Sequence, residues 1–228
     1  MHIDVRHRPA ESVAHVKMNA GESIRAESGA MLAMVGGIKV ETNGPASSGG
    51  LLKSLKRKVL GAESFFTNTF KATDNDAAVW LAPRLPGDMV VHEVNSSHEL
   101  MVQGGSFVAA PMSVSIDTRF EGLGGLFSGE GLFFLKIHGH GPVVLNAFGA
   151  IDAIDLDGEL IVDTGHLVAF TSGVGYTVQK AADDWLTSLL SGEGLVLHLK
   201  GKGRVYLQTR NPDEYGKAAG RHLAPIEH

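Results

Sequence analysis

No cysteine occurs among the 228 residues, which removes disulfides, thiolate metal sites and thiol nucleophiles together. The absence is compatible with a reducing cytoplasm. Positive charge is also short: 20 Lys and Arg against 25 Asp and Glu give a formal net charge of −5. Proteins that bind by neutralising phosphates are normally basic, so this balance argues against general nucleic-acid binding. Long apolar runs are missing too. Met1-His2-Ile3-Asp4-Val5-Arg6 has no signal-peptide character, and no stretch approaches the ~20 apolar residues of a spanning helix. The expectation is a cytoplasmic protein, at most peripheral to a membrane. Glycine is the residue in excess, 29 of them against a usual ~7%. They fall singly between short apolar runs, which predicts many tight turns between many strands.

One pattern occurs three times. Ser28-Gly29-Ala30-Met31-Leu32-Ala33-Met34, Gly104-Gly105-Ser106-Phe107-Val108-Ala109-Ala110 and Thr164-Gly165-His166-Leu167-Val168-Ala169-Phe170 each take a glycine turn into a short strand with alanine at the same place. A Gly-acid pair precedes each: Gly21-Glu22, Gly87-Asp88 and Gly158-Glu159. Downstream come Glu63-Ser64-Phe65-Phe66, Glu130-Gly131-Leu132-Phe133 and Glu193-Gly194-Leu195-Val196. Last come Val79-Trp80-Leu81, Val143-Val144-Leu145 and Val205-Tyr206-Leu207. The shared order predicts three repeat units, 1–84, 85–147 and 148–212, with a C-terminal tail 213–228. No linker separates them, so one body is expected.

In 204–210, Val205 and Leu207 alternate with Arg204, Tyr206, Gln208 and Arg210, the period of a half-buried antiparallel strand. Val143 with Leu145 and Val79 with Leu81 repeat the pattern. Gly139-His140-Gly141 and Gly201-Lys202-Gly203 read as hairpin turns. The expected class is therefore all-β: three tandem sandwich or jelly-roll-like repeats in pseudo-threefold relation, with a few short helices in insertions. The helix candidates are Leu51 to Leu60, Asp183 to Leu190 and Pro212 to Ala219; in the last, proline opens and Asp213-Glu214 suits a first turn.

Ser28-Gly29-Ala30-Met31, Gly61-Ala62-Glu63-Ser64-Phe65-Phe66, Gly129-Glu130-Gly131-Leu132-Phe133 and Val205-Tyr206-Leu207-Gln208-Thr209-Arg210 resemble the bacterial and archaeal relatives of the mitochondrial altered-inheritance-of-mitochondria protein. The similarity covers nearly the whole chain. It implies a fold like the tryptophan RNA-binding attenuation protein and a homotrimer forming a ring of nine lobes. It supplies no catalytic residues, and fold likeness alone transfers no function.

Glu63, Glu130 and Glu193 recur once per unit. They read either as turn acids accepting backbone N–H groups or as a ring of carboxylates for cations. His138 and His140 have the two-residue spacing that puts both side chains on one strand face, where they would ligate zinc. Their repeat partners, Lys200 and Lys202, would not, and the pair reads as turn histidines. No Gly-x-Ser-x-Gly elbow or P-loop is present. The expectation is no enzyme, no cofactor and no metal.

The stretch before each Glu is apolar where a loop is usually polar: Leu51, Leu52, Lys53, Leu55, Lys56, Arg57, Lys58 and Val59; then Leu123, Leu126 and Phe127; then Trp185, Leu186 and Leu189. In the first, Leu51, Leu52, Leu55 and Val59 fall at helical spacing opposite the basic residues. Such segments either dock on an anionic membrane or a protein partner, or plug the ends of their own sandwiches. Two functions follow as expectations. The first is a non-catalytic oligomeric scaffold or docking protein; the second is a small-ligand-binding module with pockets between lobes.

Overall fold

The computed structural model describes residues 1–43, 67–121, 132–180 and 195–222. Short apolar runs bounded by glycine form strands here because each run is too short for a stable helix and rich in Val, Ile and Phe. From the first third come β1 (His2–Arg6), β2 (Val13–Met18), β3 (Ser23–Glu27), β4 (Met31–Val35), β5 (Ile38–Asn43), β6 (Thr67–Ala72) and β7 (Ala77–Leu81). The second supplies β8 (Met89–Val94), β9 (Leu100–Gln103), β10 (Phe107–Pro111), β11 (Val114–Glu121), β12 (Leu132–Gly139) and β13 (Gly141–Asn146). The last supplies β14 (Ile151–Asp163), β15 (Leu167–Thr171), β16 (Val174–Lys180) and β17 (Leu195–Gln208). The expected all-β class is what the chain adopts.

Three sheets form, ordered β1-β2-β7-β4, then β5-β6-β3-β10-β13-β8, then β11-β12-β9-β15-β17-β14 with β16 on the first half of β17. Strands from within 1–84 and 85–147 share the second sheet, and the third sheet joins 85–147 to 148–212. The sheets are thus not confined to one sandwich per stretch of sequence. Four kinds of antiparallel pair occur three times each. β2–β7, β8–β13 and β14–β17 are one kind; β3–β6, β9–β12 and the far half of β14 on β17 are another. β5–β6, β11–β12 and β16–β17 are the third. The fourth, β4–β7, β10–β13 and β15–β17, carries a register shift each time, between Met31 and Ala33, Phe107 and Ala109, and Leu167 and Ala169. A bulge of this kind leaves one residue unpaired and bends the strand.

The apolar core has three clusters that overlap along the chain. Ile24, Phe70 and Val79 pack with Val108 and Val144; Leu100, Leu135 and Val143 pack with Val168 and Tyr206; Phe170, Leu197 and Val205 pack with Phe134. Half-burial, read from the alternation at 143–145 and 205–207, is therefore corrected. Val143 and Leu145 face one cluster while Val144 faces another, and Val205 and Tyr206 divide in the same way. Each of these strands stands between two cores, so both faces are dry.

The hairpins read at the Gly-x-Gly peptides are also corrected. β12 pairs with β11 and β9, whereas β13 pairs with β10 and β8. Gly139 and Gly141, at φ +118° and +134°, therefore carry the chain from one sheet to the next. At Gly201 there is no turn: β17 runs through it, pairing with β16 before and β15 after. Gly158 of β14 lies opposite Gly201, so one ladder bends and serves both ends of the sheet.

The N-terminal segment is tied down by Asp88, a buried carboxylate. It accepts from Arg8 Nε and Nη2 at 2.8 and 2.9 Å, from Ser12 Oγ at 3.2 Å and from the Met89 amide at 2.8 Å. Burial pushes its pKa up, but Arg8, the Met89 N–H and Ser12 outweigh burial and the net shift is downward. The Gly-acid pairs are not equivalent: Asp88 precedes β8, a strand that pairs as β2 does, while Glu22 precedes β3 and Glu159 lies within β14. The C-terminal helix, α1 (Pro212–Gly220), is capped by Asn211, whose side chain accepts from the Asp213 and Glu214 amides. Tyr215 packs it on Phe148, with ring centroids 5.1 Å apart.

Candidate functional site

Strand β4 reads Met31-Leu32-Ala33-Met34-Val35, and all five residues are exposed. Among the described residues it sits at the edge of its sheet, bonded to β7 on one side only. Edge strands are ordinarily protected by lysine, proline or brevity, because open N–H and C=O groups template pairing. β4 has no charge and no proline. Burying a side chain the size of leucine or methionine is worth about 1.5–3 kcal/mol, so an uncovered β4 forgoes several kcal/mol. Nor is exposure a property of its sequence type. Leu32, the extra residue in its bulge, is 60% exposed, whereas Val108 and Val168 in the same place are 1% and 0%.

A second open edge belongs to the third sheet. Among the described residues, the far half of β14 pairs only with β17. Its Ile161 is 62% exposed. An open cleft of about 740 Å³ spreads beside it, lined by Ile161, Tyr176, Thr177, His198 and the Glu159–Lys200 pair. That ion pair is fully at the surface, so it orders the rim without adding appreciable stability.

A smaller cleft of about 540 Å³ lies where β8 meets β14 and β17, lined by His92, His98, Asp155, Thr171, Lys202 and Arg204 among others. Most of its polar groups are engaged with one another, Lys202 with Asp157 and the Thr171 hydroxyl with the Arg204 amide, whereas His92 Nε2 is buried with no hydrogen-bond partner among the described residues. Asp155 accepts both Arg204 Nε and Nη2, at 2.8 and 2.9 Å, which raises the guanidinium pKa and lowers that of the carboxyl. The Tyr206 hydroxyl lies 2.8 Å from His92 Nδ1. Burial first, then the charges of Arg204 and His98, hold His92 below the usual histidine range. Below about pH 6.5 the unfolded chain takes up a proton that folded His92 refuses. Stability is therefore complete above that value and falls as pH drops toward the folded pKa. His92→Gln is expected to make the loss between pH 7 and pH 5 shallower, read as urea midpoints across that range. An unchanged slope would remove His92 from the account.

The sequence profile of the family described as mitochondrial biogenesis AIM24 matches residues 3–210. The chain belongs to this family. An uncharacterized protein of Streptococcus pyogenes serotype M6 is 28% identical over 217 residues, 92% of this chain and 86% of that protein. A structural-genomics crystal structure of a Streptococcus pyogenes protein superposes with a TM-score of 0.81 at 24% identity, covering 97% and 99% of the two chains. That likeness shows a common fold over almost the full length of this AIM24-family chain.

The sequence-derived site residues of the AIM24-family chain are not among those described. Glu63, Glu130 and Glu193 lie outside the described residues, as do Leu51, Leu52, Lys53, Leu55, Lys56, Arg57, Lys58 and Val59, Leu123, Leu126 and Phe127, and Trp185, Leu186 and Leu189. His138 is described: its Nε2 lies 3.1 Å from Asp117 Oδ2 on an exposed face. Among the described residues no group of three or more His, Asp or Glu is placed to hold a metal ion, and no helix is long and apolar enough to cross a membrane. The open strand β4 was visible in the sequence only as an apolar run, and apolar runs usually mark core. Its one distinguishing signal is methionine at 31 and 34, where the related peptides carry Phe107 with Ala110 and Leu167 with Phe170.

Proposed function

We propose that this AIM24-family protein is a non-catalytic, self-assembling scaffold. The observation that carries the reading is β4, an uncharged apolar edge strand exposed along its whole length. Strands of this composition left open in water associate, and a chain with net charge −5 retains enough self-repulsion to keep small closed assemblies soluble. Three chains per assembly is the stoichiometry we assign, with the basic apolar stretch 51–60 supplying contact to an anionic membrane or a protein partner. Native mass spectrometry of the untagged protein tests this directly. The expected mass is three times the 24.1 kDa chain, and retained lipid would identify the membrane as partner. A bare monomer at micromolar concentration would defeat the scaffold reading.

The cleft beside His92 favours a second reading, a small-ligand-binding module. Its volume suits a small molecule, although Asp155 already occupies the Nε and Nη2 donors of Arg204. A retained small-molecule mass in the same spectrum would move the assignment to this cleft.

A further inference from the structure

We infer that the two open edges pair with each other between chains: β4 of one copy adds to the far half of β14 of the next, antiparallel, with Ala33 opposite Val162, Met34 opposite Ile161 and Val35 opposite Leu160. The inference rests on the scaffold reading and names its interface. The structure contains the template for this contact twice. β10 pairs with β3, placing Ala109 opposite Ala26 and Ala110 opposite Arg25. β15 pairs with β9, placing Ala169 opposite Val102 and Phe170 opposite Met101.

The remaining member of each set is an open edge. β4 pairs with β7 across the same bulge that β10 and β15 make with β13 and β17, so Ala33 corresponds to Ala109 and Ala169. The far half of β14 pairs with β17 as β3 does with β6 and β9 with β12. Phe70, Ile137 and Leu199 are the partners there of Ile24, Leu100 and Leu160, so Val162 corresponds to Ala26 and Val102. Sheet order gives the same answer. The second sheet is a β5-β6-β3 half joined to a β10-β13-β8 half. The first sheet has only the latter kind of half and the chain's end only the former.

The side chains agree. Phe134 on the outer face of β12 packs against Phe170 and Tyr176, with ring centroids 6.1 and 5.3 Å apart. Met34 and Val40 hold the places of Phe170 and Tyr176, and both are exposed. By the same register Phe134 corresponds to Val196, Lys136 to His198 and Met101 to Ile161, and Ile161 and His198 line the open cleft. Two different surfaces meet, so the contact is head-to-tail and propagates until a ring closes.

The lack of native cysteine makes the test direct. Met34→Cys and Ile161→Cys are made in separate full-length chains, as are Val35→Cys and Leu160→Cys, and each pair is mixed, incubated to exchange subunits and oxidised with diamide. Adjacent antiparallel positions alternate between close and wide Cα spacing, so one of the two neighbouring pairs has the geometry a disulfide needs. The expected result is a covalent dimer in at least one mixture and in no single variant alone. A dimer from Met34→Cys alone would overturn the proposal in favour of two-fold β4–β4 pairing. An oligomer by native mass spectrometry with neither mixture crosslinking would overturn this interface while leaving the scaffold reading intact. A monomer would end both.

Discussion

Leu32→Lys is expected to give a folded chain that no longer assembles, whereas Val108→Lys and Val168→Lys give no folded chain at all. The three residues occupy one structural position, the unpaired member of the bulge beside Ala33, Ala109 and Ala169. Val108 packs in the first core cluster and Val168 in the second. An ammonium placed there costs several kcal/mol of desolvation, and the volume of the side chain adds about 1–3 kcal/mol of overpacking. Together these approach the 5–15 kcal/mol that holds a domain folded. Leu32 already faces water, so lysine there costs the isolated chain little and puts a charge where the next chain would sit. Lysine on an edge is a device by which natural proteins prevent strand addition. Circular dichroism melts and native mass spectrometry on the three variants separate the outcomes. Full assembly by Leu32→Lys would remove β4 from the interface, and cooperative folding of Val108→Lys would break the correspondence on which its location rests.

That experiment also marks where the sequence stops being informative. The all-β class, the glycine-marked turns, the recurring alanine and the helix opened by Pro212 were legible because each depends on local chemistry: period, positive φ, bulge and cap. The helix was expected over Pro212 to Ala219 and runs Pro212–Gly220. Partnership between strands was not legible. Val143-Val144-Leu145 reads as an alternating half-buried strand only if the middle valine faces water, and a third consecutive apolar residue was the sign that it does not. The Gly-x-Gly peptides resemble hairpins because a corner between sheets and a turn within one make the same demand on φ. Asp88 looks like the acid of one of three repeated Gly-acid pairs, yet its role is set by Arg8 and Ser12, about 80 residues upstream. The cleft pair His92–Tyr206 spans 114 residues and leaves no trace in spacing. As for the open edge, Met31 to Val35 is apolar for the same reason its buried counterparts are. Whether such a run faces a core or a neighbouring chain depends on what remains to cover it at the end of the series.

Gly201→Ala is expected to destabilise the chain by about 3–4 kcal/mol, and Gly158→Ala by only about 1–2 kcal/mol. The two glycines face each other across the β14–β17 ladder and share a backbone conformation, φ +137° and +139°. An L-residue at either position bears the same left-handed strain. Their surroundings differ. A Cβ on Gly201 would stand 2.3 Å from the Gly173 carbonyl oxygen and 3.4 Å from Val174 Cα, while one on Gly158 meets nothing within 4 Å. Backbone cannot swing aside as a flexible side chain can, so alanine at 201 must push β16 away from β17. Val174 packs in the third cluster beside Leu197 and Leu199, so the displacement also opens the core beneath the β14 edge. Urea denaturation of both variants at neutral pH measures the difference, and equal losses would show that strain alone, not the close approach of β16, sets the need for glycine. If the edge of β14 receives the next chain, Gly201→Ala should weaken assembly as well as folding, whereas Gly158→Ala should leave the cleft beside Ile161 and the assembly formed there intact.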